Sequence, residues 1–222
     1  MKLQDRLDAF TADLIASGKI PGPIVTQLMD GIKEQVSSGK ADRALKAGDT
    51  APTFTLSDPD GASVSSAALL ARGPLVVSFY RGVWCPYCNL ELQALQEALA
   101  DIAARGASLV AISPQTAANS RKSQRDNKLS FPILSDVKSE VANAFGIRFA
   151  LPDYLVEPYK GFGNNLPVTN NDPTWVLPMP ARYVIGTDGI IAYSEVNPDY
   201  THRPDPSELL PVLDRLRTSK AA

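Results

Sequence analysis

Apolar residues recur along this chain in two rhythms, and the changes between them mark out its elements. Residues 1–17 carry Leu3, Leu7, Phe10 and Leu14 on one stripe, the spacing of an amphipathic helix. Ile20-Pro21-Gly22-Pro23 breaks it. A second helical pattern over residues 24–36 aligns Val25, Leu28, Ile32 and Val36, and Ser37-Ser38-Gly39 ends it. Residues 40–50 are polar and rich in Ala and Gly, which reads as a linker. Short strands over 51–56 and 62–65 flank the turn Asp58-Pro59-Asp60-Gly61, and a short helix over 66–72 closes at Gly73. The unbroken run Leu75-Val76-Val77-Ser78-Phe79-Tyr80 reads as a buried strand. Behind it, Cys88, Leu92, Leu95, Leu99 and Ile102 share one helical face, in a helix that ends near Gly106.

Further on, the pattern predicts a strand over 108–113, a polar helix over 116–128, a strand over 131–134 and a helix over 139–145 closed by Gly146. A hairpin joins 181–186 to 190–196 across Thr187-Asp188-Gly189, and a last helix covers 207–217 with Leu209, Leu210, Leu213 and Leu216 inward. Strand–helix–strand alternation of this kind predicts an α/β sandwich containing parallel pairs. The division that follows is an N-terminal helical extension with its linker over 1–45 and a folded domain over 46–222. The extension's two stripes are covered either by the domain or by a second copy in a homodimer, and periodicity does not separate the two. Residues 147–177 break the rhythm, with four prolines and Gly161-Phe162-Gly163-Asn164-Asn165, and read as a long loop. Its Tyr154, Tyr159, Phe162 and Trp175 either form a lid over the site described next or pack among themselves.

Composition changes this picture little. With 222 residues, 44% hydrophobic and 21% charged, the chain is long enough for a full core. A net charge of −2 gives no footprint for nucleic acid or an anionic membrane. Asp5, Arg6, Asp8 and Asp13 rule out a signal peptide at the start, no apolar run is long enough to span a bilayer, and a cytoplasmic location is the expectation.

The chemistry sits in Trp84-Cys85-Pro86-Tyr87-Cys88, which holds both cysteines of the chain at the junction of the buried strand and its helix. Pro86 suits the first helical position, which makes Cys85 the cap, exposed at the positive end of the helix dipole. Cys88 lies one turn in, on the core stripe. An ordinary thiol is only slightly ionised at neutral pH, and the thiolate is the nucleophile. Free N–H groups and the dipole therefore point to a lowered pKa at Cys85. The spacing also lets the two sulfurs close a disulfide. A metal centre is not implied, because there is no second Cys pair and His202 is the only histidine.

From Ala51 to Leu216 the chain resembles the thioredoxin fold, and within it the peroxiredoxin group of alkyl hydroperoxide reductases and thiol-specific antioxidants. The resemblance rests on Ala51-Pro52-Thr53-Phe54-Thr55-Leu56 with Asp60-Gly61, on Phe131-Pro132-Ile133-Leu134-Ser135-Asp136 with Val141-Ala142 and Phe145-Gly146, and on Tyr183-Val184-Ile185 with Asp188-Gly189-Ile190-Ile191. It implies a mixed central sheet flanked by helices. The site departs from the group's Pro-x-x-x-Thr-x-x-Cys: Arg81 stands at the Pro, Cys85 at the Thr and Cys88 at the attacking Cys. Glu91 matches a Glu of the group's Cys helix. The group's Arg before the closing hairpin falls on Pro180, two residues from Arg182. Cys-Pro-Tyr-Cys instead resembles glutaredoxin and thioredoxin motifs. Met179-Pro180 looks like the thioredoxin-fold cis-proline, or is an ordinary proline at a strand start.

The resemblance implies a thiol-dependent oxidoreductase with catalysis at Cys85 and Cys88, and substrate or partner contacts at Arg81, Trp84, Pro86, Tyr87 and Pro180. Hydroperoxides or disulfides are the expected substrates, a thioredoxin- or glutaredoxin-type protein the reductant, and no cofactor is implied. A disulfide reductase with little peroxidase activity and a non-catalytic redox sensor are the alternatives. The two resemblances name different attacking sulfurs; the cap position favours Cys85.

Overall fold

The computed structural model describes residues 1–219. The extension forms α1 (Leu3–Ala16) and α2 (Gly22–Ser37). The domain follows as β1 (Thr55–Ser57), β2 (Ser63–Ser65), α3 (Ser66–Leu70), β3 (Leu75–Phe79), α4 (Pro86–Ala103), β4 (Ser108–Ser113), α5 (Ala117–Asn127), β5 (Ile133–Ser135) and α6 (Glu140–Ala144). Then come β6 (Arg148–Ala150), α7 (Asp153–Gly161), α8 (Leu166–Asn170), β7 (Val176–Pro178), β8 (Ala181–Ile185), β9 (Ile191–Val196) and α9 (Leu209–Ser219).

Seven strands make one mixed sheet in the order β2-β1-β5-β4-β3-β8-β9. The central strands β3, β4 and β5 run parallel, and the hairpin β8-β9 adds antiparallel at one side. Successive side chains of β3 go to opposite faces. Val76, with the following Tyr80, joins Leu92, Leu95, Ile102 and Leu213 in one core, whereas Leu75, Val77 and Phe79 join Phe54, Phe145 and Ile185 in the other. Both faces are covered, which is why this segment is apolar without alternation. The expected mixed sheet flanked by helices is present.

In the extension, α1 packs on α4, burying Leu3 and Leu7 in the α4-side core. Its first amide, that of Leu3, donates to Asp205 at 3.0 Å, and Arg6 pairs with Glu97 at 3.1 Å. On α2, Ile32 is buried, but Val36 is exposed and does not continue the stripe as the spacing suggested. Gly31 lets α2 approach α7: a Cβ there would lie 2.7 Å from Leu155 Cδ1.

Two expectations are corrected. Residues 40–50 are not a free linker. Lys40–Arg43 is a turn of 3-10 helix, Ala44 is buried, and the amides of Leu45 and Gly48 donate to Phe145 and Ile191. Residues 147–177 are not a loop. They hold α7 and α8, framed by the two-stranded ladder β6-β7, around a small core of Leu151, Leu155, Tyr159, Leu166 and Leu177. Two of the four prolines that looked like breakers start these helices, Pro152 preceding Asp153 and Pro167 lying in the first turn of α8, and Pro158 lies within α7.

Candidate active site

Cys85 takes an extended conformation (φ −91°, ψ 107°) and caps α4, its Sγ accepting from the Cys88 amide at 3.3 Å. Pro86 opens the helix, as its missing N–H allows. The approach to the cap is fixed by side chains. The Val83 amide donates to Gln115 Oε1 at 2.8 Å, and Asn89 Nδ2 donates to the Val83 carbonyl at 2.8 Å. Gly82 turns the chain at φ +152°, where a Cβ would lie 2.5 Å from Trp84 Nε1. Cys85 and Cys88 are joined in a disulfide with their Cα atoms 5.3 Å apart. Both cysteines are fully buried. The expectation of an exposed Cys85 is therefore wrong: the cap position is covered by neighbouring Arg81 and by side chains from distant segments.

Arg81 is the foremost of these. Its Nη2 donates to Cys85 Sγ at 3.4 Å and its Nη1 to the Tyr159 hydroxyl at 3.0 Å. Its guanidinium lies 3.7 Å from the ring centroid of Tyr200 and 5.0 Å from that of Trp84. Aromatic faces attract a cation and hold it without neutralising it. Burial pushes the Tyr200 phenol up, with Arg81 opposing, so that ring stays neutral. Tyr87 meets Phe10 of α1 edge-on at 5.3 Å and Tyr200 at 5.6 Å, and its hydroxyl lies 3.0 Å from Thr11 Oγ1. Trp84 packs edge-on against Tyr159 at 5.4 Å. Together Arg81, Trp84, Pro86, Tyr87, Tyr159 and Tyr200 line a hollow of about 250 Å³ beside the dithiol. Of the loop aromatics, Tyr159 and Phe162 border this hollow, whereas Tyr154 hydrogen-bonds Glu34 and Trp175 packs in the α7 core.

Pro180 lies elsewhere. No cis peptide bond occurs among the described residues, so the peptide before Pro180 is trans and the cis-proline resemblance does not hold. Its carbonyl accepts from the Asn197 amide at 3.3 Å, and it borders a narrow crevice with Glu91, Arg182 and Arg203. Those three form a buried charge cluster. Arg182 Nη2 and Arg203 Nε each donate at 2.8 Å to separate oxygens of Glu91. Burial pulls Arg203 below the usual guanidinium range, and Glu91 holds it up. Two cations on one carboxylate leave net positive charge on the Cys helix one turn beyond Cys88. Arg182 thus serves Glu91, and the cation that reaches Cys85 is Arg81. Sequence reading missed Tyr200 and Arg203, which lie in a stretch of turns without period. Among the described residues no three His, Cys, Asp or Glu side chains form a group able to hold a metal.

The chain is similar to peroxiredoxin Q of rice (Oryza sativa subsp. japonica), 30% identical over 146 residues that cover 66% of this chain and 57% of that one. It thus spans little more than half of that relative's length. It is also similar to peroxiredoxin Bcp of Escherichia coli, 30% identical over 103 residues that cover 46% of this chain and 65% of that one. Among solved structures, peroxidoxin BcpB of Mycobacterium tuberculosis superposes with a TM-score of 0.61 at 24% identity, over 77% of this chain and 97% of that one. That agreement shows the fold. The AhpC/TSA family model matches residues 47–194, from just before β1 into β9 and across the whole dithiol segment, and on that match the chain belongs to the AhpC/TSA family.

Proposed function

We propose that the protein is a thiol-dependent peroxidase that cycles Cys85 and Cys88 between dithiol and disulfide. The observation that carries this is the Arg81–Cys85 contact, a buried guanidinium on the sulfur that caps α4. In the reduced protein the Cys85 thiolate attacks a peroxide oxygen. An S–O bond forms, the O–O bond breaks, and the departing alkoxide or hydroxide takes up a proton. Cys88 then attacks the resulting sulfenic acid, closing the disulfide and releasing water. An external dithiol of thioredoxin or glutaredoxin type restores the pair through a mixed disulfide. That step requires the rim of Trp84, Tyr87 and Tyr200 to open, since both sulfurs are covered.

The test is a coupled assay with thioredoxin and its reductase. Peroxide-dependent consumption of reductant supports the peroxidase, and insulin reduction without peroxide turnover supports the reductase. No helix among the described residues is long and apolar enough to cross a membrane. A lone dithiol fits a reducing compartment, and we place the protein in the cytoplasm on that ground.

A further inference from the structure

Gln35 is a polar residue on the inward face of α2. It follows Leu28 and Ile32 at helical spacing and is 7% exposed, whereas the apolar Val36 beside it faces outward. Its Nε2 is buried and has no hydrogen-bond partner among the described residues. The same is true of the Nε of Arg81, a residue 4% exposed. Leaving a buried donor unpaired is costly. Both side chains border one pocket of about 20 Å³, above the roughly 10–15 Å³ that a single water needs. Tyr159 borders it too; its hydroxyl accepts from Arg81, and its own proton has no acceptor among the described residues. Leu28, Ile32, Leu151 and Leu155 give the pocket apolar walls, and no acidic side chain among the described residues lines it. Arg81 itself touches Tyr159, Cys85 and two aromatic rings, none of them a carboxylate. A buried guanidinium without a counter-ion is unfavourable.

We propose that this pocket is a site for a small monovalent anion such as chloride, held by the N–H groups of Arg81 and Gln35 while Cys85 and Cys88 form their disulfide, and given up when Cys85 becomes a thiolate. In the reduced protein the thiolate is the counter-ion of Arg81, on the Nη2 side. Closing the disulfide takes two electrons from the pair, and the negative charge of Cys85 leaves with the reduced peroxide. An ion on the Nε side then replaces it. A water would accept from both donors, but it brings two protons of its own and no charge, so a pocket of donors beside a cation fits an anion better. Coupling between two sites is reciprocal. The ion therefore makes the disulfide harder to reduce by the factor by which reduction weakens its own binding. This rests on the dithiol cycle of the peroxidase reading, with no requirement that peroxide be the oxidant, and adds its regulation by an anion. Gln35 belongs to the extension, outside the matched family region of 47–194.

The test uses the full chain, in its disulfide form and after reduction with a phosphine at pH 8, together with Gln35→Leu. Chlorine NMR line broadening reads chloride binding in solution. Crystals of the oxidised wild type soaked in bromide locate the ion by anomalous scattering. The equilibrium of the disulfide with dithiothreitol is compared in chloride and in gluconate, an anion too large for the pocket, at equal ionic strength. The expected result is saturable chloride binding to the oxidised wild type, weaker by at least about fivefold in the reduced protein and in Gln35→Leu. Bromide should sit between Arg81 and Gln35, and the disulfide should be harder to reduce in chloride than in gluconate. A water in place of bromide would overturn the site, and so would equal chloride binding in the two redox states or equal reducibility in the two salts. Chloride binding unchanged in a folded Gln35→Leu would do the same; if that variant does not fold, the wild-type crystal and redox comparison decide. None of these measurements uses a peroxide, so a failed peroxidase assay and a failed anion site are told apart.

Discussion

Arg81 places its Nη2 3.4 Å from the Sγ of Cys85, inside a cage made by Tyr159, Tyr200 and Trp84. A cation this near a sulfur favours the thiolate. Replacing Arg81 by Met removes the charge and keeps much of the volume. Alkylation of reduced Cys85 at neutral pH should slow by roughly tenfold or more, with its pH midpoint moving upward. Arg81→Lys should recover part of the rate, since a lysine keeps the charge without the planar fork that fits between rings. Iodoacetamide kinetics against pH measure both; an unchanged midpoint in Arg81→Met would remove Arg81 from the site.

The order of attack follows from the two environments. Both sulfurs are fully buried in the same core, but Cys85 Sγ accepts from the Cys88 amide and from Arg81, whereas no hydrogen bond to Cys88 Sγ offsets its burial among the described residues. Desolvation works against a thiolate at Cys88. Cys88→Ser should therefore keep rapid sulfenic acid formation with hydrogen peroxide, and Cys85→Ser should lose it. Trapping with a dimedone probe reads the result. The opposite pattern would make Cys85 the resolving residue, as the peroxiredoxin alignment of the motif has it.

Glu91 holds two buried guanidiniums apart, each at 2.8 Å. Removing the carboxylate leaves both uncompensated, and breaking a buried pair in this way typically costs about 3–5 kcal/mol. Glu91→Leu should lower stability by that order in urea unfolding. A loss under about 1 kcal/mol would mean that water reaches Arg182 and Arg203.

What was legible in the sequence divides by range. The strand β3 and the stripe of α4 were readable because periodicity is a local signal, and so was the cap at Cys85, since Pro86 fixes the helix start. The helices α7 and α8 were not, because each is short and begins at a proline that also serves as a breaker. The exposure of Cys85 was misjudged for a different reason. Arg81 is near in sequence, but Tyr159 and Tyr200 come from segments whose approach depends on the whole fold. The Glu91–Arg203 contact, 112 residues apart, has no local trace either. Val36 shows the reverse case, a clean helical stripe whose last position has no neighbour to cover it.

Acid should loosen the extension before the domain. Burial pushes the Asp205 carboxyl up, but hydrogen bonds from Ser207 and the Leu3 amide, with Lys2 nearby, outweigh it and leave it below the usual range. A lowered carboxylate contributes stability above its unfolded pKa of about 3.9 and loses it as pH falls through the folded value. Hydrogen exchange should accordingly show α1 amides losing protection below about pH 4. In Asp205→Asn that acid dependence should disappear, with α1 less protected already at neutral pH. Equal pH profiles in the two proteins would show that another group fastens α1.

The most direct measurement is stopped-flow oxidation of the fully reduced protein by hydrogen peroxide and by an organic hydroperoxide, followed by Trp84 fluorescence and by mass. The account predicts oxidation far faster than that of a free thiol, proportional to peroxide concentration and ending in the Cys85–Cys88 disulfide. Rates no higher than a free thiol's with both oxidants, in a protein whose disulfide still exchanges readily with a dithiol, would contradict it.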